Sequence, residues 1–551
     1  MMRMKTASTI AASFLQHVDQ RPDARALLIR RAGRFSPISW REMANDVART
    51  VSALVGCEVK PTDRVVQISE NRYEWIVLDL ALQFLRAVHV PINPVRSGQQ
   101  MAELISHCDP QLIVLSNADA ANKLLAANGP FNSLSAGSDR VFMSWDDIHE
   151  IDREVRPLVA LSQLPVSSPD EAAAGNLHEL AELIEPEQLM TILYTSGTTG
   201  NPKGVMLSHA NLAENVSATL KILPARSDET RLCILPLSHV FARTCDLYAW
   251  LAGGCTLVMA ESRFTLFRDC QETRPTFFNG VPLLFEKCIE QLRKQGTHDQ
   301  PAALRELLGG KIEKCNSGGA PLPGEIHDYF WEHGIPLLSG YGLTETSPVI
   351  AASTMAENKK GSVGKPLPGV AVRIADDGEI LTKGPHVMLG YYHDAAATAD
   401  VLKDGWLHTG DLGKLDEDGF LEIIGRKKEM IVTSNGHNIA PTKIESAINS
   451  LPSVLQSYVF GDEHPFLIAL IVPDFSALPD ACANDDVFAR EQLLSMVSRQ
   501  LQTFAKYEQV RRVEIVREPF TIDSGLITAK GSLCRTAIAS RYRALLDAAY
   551  D

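Results

Sequence analysis

Short apolar runs rich in strand-forming residues alternate along this chain with longer segments of helical periodicity. The runs 63–68 and 111–115, for example, flank the helix-like segments 73–85 and 98–107. Strands that alternate with helices predict a parallel sheet covered by helices on both faces. We therefore predict the α/β class, with a large N-terminal domain built of layered α/β sheets.

The pattern changes after Gly364, where turn residues separate short strand-like runs. The dipeptides Asp377-Gly378, Asp404-Gly405 and Asp418-Gly419 are typical of hairpin turns. They predict a β-rich subdomain at about 364–425. Because 551 residues exceed what a single core holds, we expect two domains: 1–425, and a small mobile α+β C-terminal domain at 426–551.

Composition excludes several classes of protein. The hydrophobic fraction of 45% is that of an ordinary globular enzyme, and the net charge of −14 argues against nucleic acid as a partner. No run approaches 18 apolar residues, so a transmembrane span is not expected. The ten cysteines show no Cys-x-x-Cys spacing, which is typical of reduced thiols, and we expect a cytoplasmic protein.

The segment 194–204 carries the clearest chemistry. It reads Tyr-Thr-Ser-Gly-Thr-Thr-Gly-Asn-Pro-Lys-Gly and follows a strand-like run. Glycines allow close backbone approach, successive hydroxyl and N–H donors can surround anionic oxygens, and a lysine adds charge. Its order differs from that of a Walker A loop. The segment predicts a phosphate-binding loop made of Thr195, Ser196, Gly197, Thr198, Thr199, Gly200 and Lys203.

This segment closely resembles the signature of the adenylate-forming (AMP-binding) superfamily, which includes acyl-CoA synthetases, luciferases and peptide-synthetase adenylation domains. The resemblance covers nearly the whole chain, because further motifs follow in the family's order, and their wording is most similar to long-chain fatty acyl-CoA synthetases. It implies ATP, Mg²⁺ and coenzyme A, an acyl-adenylate intermediate and release of pyrophosphate. It also implies that Thr195 helps to place the Mg²⁺ ion.

Two glycine-rich segments, 317–322 and 340–346, resemble the family's adenine site. Tyr341 offers a flat face for stacking, and the resemblance implies that Thr344 contacts the α-phosphate. Glu345 would supply a carboxylate to Mg²⁺, which prefers oxygen ligands shared with phosphates. The remaining adenine-site residues implied by the resemblance are Gly318, Gly319, Ala320 and Gly342.

Three later segments resemble the ribose site, the hinge and the thiol-facing surface of the family. Asp411, in 406–411, would accept hydrogen bonds from the ribose hydroxyls, with Arg426 nearby. Lys428 aligns with the pivot about which the small domain rotates between the two half-reactions. Gly436 would let a pantetheine arm pass.

Two segments resemble those that border the acyl site in fatty-acid ligases. His239, in 235–243, occupies the position of a gating or carboxylate-side residue and is a candidate catalytic group. Gly280, in 278–282, would let an acyl chain pass its backbone.

One departure from the family concerns its C-terminal loop, Thr-x-x-Gly-Lys-x-x-Arg. Here 528–535 reads Thr-Ala-Lys-Gly-Ser-Leu-Cys-Arg, so Ser532 stands in place of the lysine and Lys530 lies two positions earlier. Three alternatives follow. Lys530 reaches the site along a different path, adenylation proceeds slowly on Lys203 and Mg²⁺, or the protein binds ligands with little catalysis.

The predicted activity is ATP-dependent activation of a medium- to long-chain fatty acid, followed by transfer to the thiol of coenzyme A. Lys203, His239, Glu345 and Lys530 are the candidate catalytic residues. An acyl carrier protein as acceptor stays open, because both acceptors present the same arm, and so does peripheral membrane contact. A weakly catalytic acyl- or nucleotide-binding protein is the remaining alternative.

Overall fold

A computed structural model describes residues 9–126, 141–144, 155–157, 171–195, 202–521, 524–527 and 533–550. The chain folds into two compact units. The first comprises Met1–Val372, Thr382–Leu407 and Glu417–Leu421, and the second comprises Arg373–Leu381, His408–Asp416 and Glu422–Asp551. The domain boundary at 425/426 stays a prediction.

Within the described residues, the larger of two sheets in the first unit has nine strands. Six adjacent strands are parallel, and antiparallel strands continue the sheet at both edges. In spatial order the strands are Lys365–Pro366, Val349–Ala352, Leu337–Gly342, Lys314–Ser317, Phe277–Gly280, Thr230–Cys233, Thr256–Met259, Arg25–Arg31 and Arg34–Ser39.

The second sheet of this unit has eight strands, and its parallel part contains both strand-like runs predicted at 63–68 and 111–115. Antiparallel strands form one edge. The spatial order is Gly390–Tyr391, Lys203–Ser208, Leu189–Thr195, Val88–Ile92, Arg64–Ile68, Leu112–Leu115, Val141–Ser144 and Val155–Pro157.

Helices cover both faces of the eight-stranded sheet, as the alternation predicted. Val65 packs into one apolar cluster with residues of the helix Tyr73–Leu85, whereas its neighbour Val66 packs into another with residues of the helix Gly98–Cys108. Successive strand residues point to opposite faces, so one strand contributes to both layers. Tyr73–Leu85 is buried almost all round, which explains its nearly continuous apolar sequence.

The helices of the first unit connect its strands. Those of seven or more residues are Ile10–Gln20, Trp40–Gly56, Tyr73–Leu85, Gly98–Cys108, Ala118–Leu125, Glu171–Glu182, His209–Ile222, Leu266–Thr273, Pro282–Gln295, Gly324–Glu332 and Ala395–Val401. Within the described residues, no helix is both long enough and apolar enough to cross a membrane.

Residues 371–426 supply the five strands of a third sheet, in agreement with the predicted β-rich subdomain: Ala371–Ile374, Glu379–Lys383, Trp406–Leu415, Leu402–Lys403 and Leu421–Arg426. The predicted turn Asp404-Gly405 joins two antiparallel strands, with φ of 53° and 77°. Asparagine, aspartate and glycine adopt positive φ most readily, which makes this dipeptide a turn former.

The rest of the second unit is α+β. A three-stranded sheet, Val454–Phe460, Leu467–Pro473 and Val510–Ile515, has an apolar cluster on each face. Its helices are Pro441–Asn449, Asp486–Gln500, Arg535–Arg541 and Arg543–Ala548. The α/β class, the β-rich region and the separate C-terminal unit are confirmed.

Candidate active site

Three of the predicted motifs meet at one edge of the nine-stranded sheet. Gly280, Gly318 and Tyr341 lie at or just past the carboxyl ends of Phe277–Gly280, Lys314–Ser317 and Leu337–Gly342, which are adjacent parallel strands. In α/β sheets ligands bind in the crevice outside the carboxyl ends of the strands. The three motifs therefore lie side by side along one edge of the sheet, in the same order as in the sequence.

Two glycines at this edge have close neighbours at the position where a side chain would begin. A Cβ atom on Gly342 would lie 1.8 Å from the carbonyl oxygen of Pro348, on the antiparallel strand's side. A Cβ atom on Gly318 would lie 2.9 Å from the ring of Phe241. Gly319 has φ of +78°, and both Gly319 and Ala320 are exposed. Backbone at this edge is thus accessible beside the strand ends.

Gly280 has a different environment from the one its motif suggests. The ring of Phe285 lies 2.7 Å from the position of a Cβ atom there, and Leu284 lies 3.2 Å from it. The missing side chain therefore makes room for a core phenylalanine on the following helix, Pro282–Gln295. Passage of an acyl chain beside Gly280 stays a prediction.

Thr195 and Lys203 lie opposite each other at the base of an antiparallel hairpin. They are paired residues of the strands Leu189–Thr195 and Lys203–Ser208. The five predicted phosphate ligands between them lie outside the described residues: Ser196, Gly197, Thr198, Thr199 and Gly200. The hairpin fixes both ends of the predicted phosphate loop on one sheet.

Tyr391 connects two predicted residues and was not predicted. Its hydroxyl donates a hydrogen bond of 2.9 Å to Oε1 of Glu345, and Nζ of Lys203 lies 4.7 Å from its ring centroid, over the ring. The strand Gly390–Tyr391 pairs with Lys203–Ser208, which holds the tyrosine in this position. The backbone N–H of Met388 also donates to the carbonyl of Glu345 (2.9 Å).

The single carboxylate of Glu345 fits a magnesium ion that takes most of its ligands from substrate phosphates and water. In the described part of the chain there is no cluster of three or more histidine, cysteine, aspartate or glutamate residues that could hold a metal. Mg²⁺ at nucleotide sites is held by one or two carboxylates, substrate phosphates and water. A single carboxylate beside Lys203 satisfies that requirement.

His239 caps a short helix, Val240–Ala242, and is partly exposed. Four residues later, Arg243 is fully buried and anchors this segment. Its Nη1 donates to Oγ1 of Thr191 (2.8 Å), on the strand that leads into the phosphate loop, and its Nη2 pairs with the buried carboxylate of Asp79. Burial alone would raise the pKa of Asp79, but the Arg243 guanidinium lowers it to about 2.

The second unit holds the predicted ribose residues together. Nε of Arg426 lies 2.8 Å from Oδ1 of Asp411, whose side chain is almost entirely buried. The backbone N–H of Asp411 donates to Oγ1 of Thr409 (3.1 Å). Thr409 in turn donates to the carbonyl of Ile380 (2.7 Å). A carboxylate fixed in this way is positioned to accept hydrogen bonds with little loss of side-chain entropy.

The predicted hinge and thiol-facing residues are exposed. Lys428 lies in a single turn, Lys427–Glu429, directly after the strand Leu421–Arg426. Gly436, with φ of +78°, lies in the turn between Ile431–Val432 and Asn438–Ile439 and has nothing within 4 Å of its Cβ position. Lys530 and Ser532 lie outside the described residues.

Sequence patterns contained a signal for the buried arginine but not for Tyr391. Asp79 lies in the mostly apolar run 75–85, and Arg243 lies four residues before the apolar run 247–252. Charged residues in such positions are almost never fully buried unless they are paired, which predicts an ion pair. Tyr391 lies far from Lys203 along the chain in an ordinary Gly-Tyr-Tyr sequence.

Comparison with protein families gives two matches that together span most of the chain. Residues 14–392 match the AMP-binding enzyme family, and residues 428–551 match the C-terminal domain of AMP-binding enzymes. Among curated relatives, the long-chain-fatty-acid–CoA ligase FadD15 of Mycobacterium tuberculosis is 30% identical over 98% of this chain and 97% of its own length. The long-chain-fatty-acid–[acyl-carrier-protein] ligase AEE15 of Arabidopsis thaliana is 26% identical over 93% and 83%.

Solved structures share the fold. ATP-bound MatB from Rhodopseudomonas palustris has a TM-score of 0.76 at 24% identity, covering 98% of this chain and 99% of its own. Anthranilate CoA ligase AuaEII in complex with anthranoyl-AMP has a TM-score of 0.77 at 18% identity, with both chains covered completely. The chain therefore belongs to the adenylate-forming AMP-binding enzyme family, as an AMP-forming acid–thiol ligase that uses ATP, Mg²⁺ and coenzyme A to activate a carboxylic acid and transfer it to the thiol.

Proposed function

We propose that this ligase is a fatty acyl-CoA synthetase, which adenylates a medium- to long-chain fatty acid and passes the acyl group to coenzyme A. The arrangement of Lys203, Tyr391 and Glu345 carries the proposal, because it gathers one cation and one anchored carboxylate beside the predicted phosphate loop. The name of the relative FadD15 supports the fatty-acid class.

In the first step the substrate carboxylate attacks the α-phosphate of ATP, and pyrophosphate leaves. Lys203 stabilises the negative charge that accumulates on the departing pyrophosphate. Glu345 and Thr195 would hold Mg²⁺, which would supply further charge neutralisation there. Thr344 contacts the α-phosphate, Tyr341 stacks on adenine between the backbones of Gly318, Gly319, Ala320 and Gly342, and Asp411 with Arg426 holds the ribose.

In the second step a thiol displaces AMP from the acyl-adenylate. We propose that the small C-terminal domain, 426–551, rotates about Lys428 between the steps, so that the Gly436 turn faces the pantetheine arm. His239 acts at the carboxylate side of the acyl site. Cytoplasmic location stays a prediction from the sequence.

An acyl carrier protein is the second candidate acceptor. The observation in its favour is the relative AEE15, whose name specifies a carrier-protein ligase. The test offers ATP, fatty acid and either coenzyme A or a phosphopantetheinylated carrier protein, and follows thioester formation. Coenzyme A as the faster acceptor supports the proposal. Thioester on the carrier protein alone would assign the second function.

The third candidate is a weakly catalytic acyl- or nucleotide-binding protein, which rests on Ser532 in place of the family's lysine. A serine can form a hydrogen bond but offers no positive charge to the developing anion. Pyrophosphate release that depends on an added carboxylic acid would dismiss this candidate.

A further inference from the structure

The hairpin whose base carries Thr195 and Lys203 has different neighbours on the two faces of the eight-stranded sheet. Thr195 and Lys203 are paired across the hairpin, and Tyr391 on the neighbouring strand is paired with Val205, two residues after Lys203. Strand residues that are paired or two apart share a face. Tyr391 bonds to Glu345 on this face, so it is the face of the predicted phosphate and magnesium site.

Two other tyrosines, Tyr194 and Tyr392, lie on the opposite face of the same hairpin. Tyr194 is paired with Gly204, and the backbone N–H of Tyr392 donates to the carbonyl of Gly204 (2.7 Å). Both rings pack against the apolar cluster to which the helix Gly98–Cys108 contributes. A Cβ atom on Gly204 would lie 3.2 Å from Cε1 of Tyr194 and 3.2 Å from Cβ of Tyr392. The glycine that ends the predicted phosphate-binding motif therefore leaves room for the two tyrosines.

His107, near the end of the helix Gly98–Cys108, contacts both tyrosines. Its Nδ1 lies 2.7 Å from the hydroxyl oxygen of Tyr194. Its ring lies edge-on to the ring of Tyr194, with centroids 5.6 Å apart, and to the ring of Tyr392, with centroids 5.8 Å apart. The two tyrosines come from segments on either side of the strand Lys203–Ser208, so one imidazole spans the strand that begins at Lys203. The contact with Tyr392 uses its ring and not its hydroxyl.

The hydrogen bond between Tyr194 and His107 has one direction at neutral pH. Burial lowers the pKa of His107 and His393 lowers it further, against a smaller opposing effect of Asp394, so the imidazole is neutral. Burial raises the pKa of Tyr194 above its usual range, so its hydroxyl keeps its proton. The hydroxyl of Tyr194 therefore donates to Nδ1 of His107, and Nε2 carries the hydrogen of the imidazole.

The end of this helix is itself attached to the sheet. Nε of Arg64 donates to the carbonyl of Cys108 (2.6 Å), and Nη2 of Arg64 donates to the carbonyl of Asp109 (2.7 Å). Arg64 begins a central strand of the eight-stranded sheet. His107 precedes these two carbonyl groups directly, so it has a fixed position from which it can hold the hydroxyl end of Tyr194.

This hydrogen bond contributes more to geometry than to stability. His107 is exposed and Tyr194 is half-buried, so water can replace either partner at little cost in the free energy of folding. Tyr194 is the residue before Thr195 and lies opposite Gly204, the residue after Lys203. Phosphate binding requires donors that are oriented before the ligand arrives, because ordering them on binding costs free energy. A fixed Tyr194 provides that orientation at both ends of the predicted loop.

We propose that His107 is a positioning residue for the ATP-dependent half of the reaction. Through Tyr194 it fixes Thr195 and Lys203 in the orientation that binds the pyrophosphate group of ATP. The proposal rests on the proposed function of the phosphate loop and adds a residue on the opposite face of the sheet. The thiol half-reaction starts from the acyl-adenylate and involves no pyrophosphate, so it should not depend on His107.

The test compares the two half-reactions in the full-length variant His107→Leu. With the acid that supports the fastest pyrophosphate exchange, KM for ATP and KM for pyrophosphate should each rise by about three- to tenfold, the effect of one hydrogen bond. The rate of thioester formation from supplied acyl-adenylate and coenzyme A should equal that of the parent. The matched control is His178→Leu, an exposed helix histidine that pairs with Asp19 at the surface, which should leave both half-reactions unchanged.

Three further variants identify the hydrogen bond as the cause. His107→Asn keeps an acceptor oxygen close to the position of Nδ1 and should restore KM for ATP to within about twofold of the parent value. Tyr194→Phe keeps the ring and removes the donor, so it should raise KM for ATP by the same factor as His107→Leu. The double variant of Tyr194→Phe and His107→Leu should be no worse than either single variant, because both changes remove the same bond.

Three outcomes would overturn the proposal and leave the proposed function standing. They are an equal loss in both half-reactions of His107→Leu, which indicates a general structural role, an unchanged KM for ATP in that variant, and losses that add in the double variant. Absence of exchange in the parent with every acid would overturn the proposed function and this proposal together.

Discussion

The hydroxyl of Tyr391 donates a hydrogen bond of 2.9 Å to Oε1 of Glu345. Nζ of Lys203 lies over the ring of the same tyrosine, 4.7 Å from the ring centroid. One side chain thus spaces the predicted phosphate-binding cation from the predicted metal-binding carboxylate.

Tyr391→Phe should lower acid-dependent pyrophosphate exchange by about tenfold, because Glu345 loses the hydrogen bond that orients its carboxylate while the ring under Lys203 stays. The Mg²⁺ concentration needed for half-maximal rate should rise. The matched control is Tyr392→Phe, one residue later. Equal losses in the two variants would count against a positioning role for Tyr391.

Arg243→Met should destabilise the first unit by about 3–5 kcal/mol, because it leaves the buried carboxylate of Asp79 without its cation. Chemical denaturation measures the change. Arg226→Met is the control: Arg226 pairs with Glu313 and Asp228 at the surface, where an ion pair contributes about 1 kcal/mol or less. Similar losses for both arginines would contradict the burial argument.

Asp246→Asn should stabilise the protein at neutral and higher pH. Burial raises the pKa of Asp246 from 3.8 to about 7. Below 3.8 both folded and unfolded chains hold the proton, so the aspartate has no pH-dependent cost. As the pH rises toward 7, only the unfolded chain releases it, and stability falls.

The gain from Asp246→Asn should therefore be greatest above pH 7, at most about 4 kcal/mol, and should shrink toward pH 3.8. Unfolding midpoints measured over this range for the variant and its parent provide the check. A difference that does not change with pH would show that Asp246 is ionised in the folded protein throughout.

Ser532→Lys should raise the rate of adenylation if the C-terminal loop lacks a needed charge, since such a contact contributes about 10²- to 10³-fold in rate. The variant Lys530→Ala tests the alternative that Lys530 performs the role of the lysine missing at position 532. If Lys530 takes the place of the missing lysine, Lys530→Ala should lower the rate of pyrophosphate exchange far more than the rate of thioester formation from supplied acyl-adenylate. Equal effects on both reactions would exclude substitution by Lys530.

Local sequence patterns predicted the architecture well because hydrophobic periodicity and turn preference are local properties of the sequence. The helix Tyr73–Leu85 and the strand Leu112–Leu115 begin and end within a residue of the predicted segments. The turn at Asp404 and Gly405 followed from residues that tolerate positive φ. These features depend on neighbours along the chain, which the sequence displays directly.

Contacts between distant segments could not be predicted in the same way. The position of Tyr391 beside Lys203 depends on pairing between strands that are far apart in sequence. The position of Asn279 beside Asn316 depends on the register of two parallel strands. Each strand alone showed a single asparagine, which did not reveal that the two asparagines share a face of the sheet.

The most direct test of the central claim is pyrophosphate exchange with radiolabelled pyrophosphate, measured over a panel of carboxylic acids for the parent, Lys203→Gln and Lys221→Gln. Lys221 is an exposed lysine on the helix His209–Ile222. The account predicts exchange that requires an acid, falls by about 10²- to 10³-fold in Lys203→Gln and is unchanged in Lys221→Gln. Exchange that is independent of the acid, or equal in the two lysine variants, would contradict it.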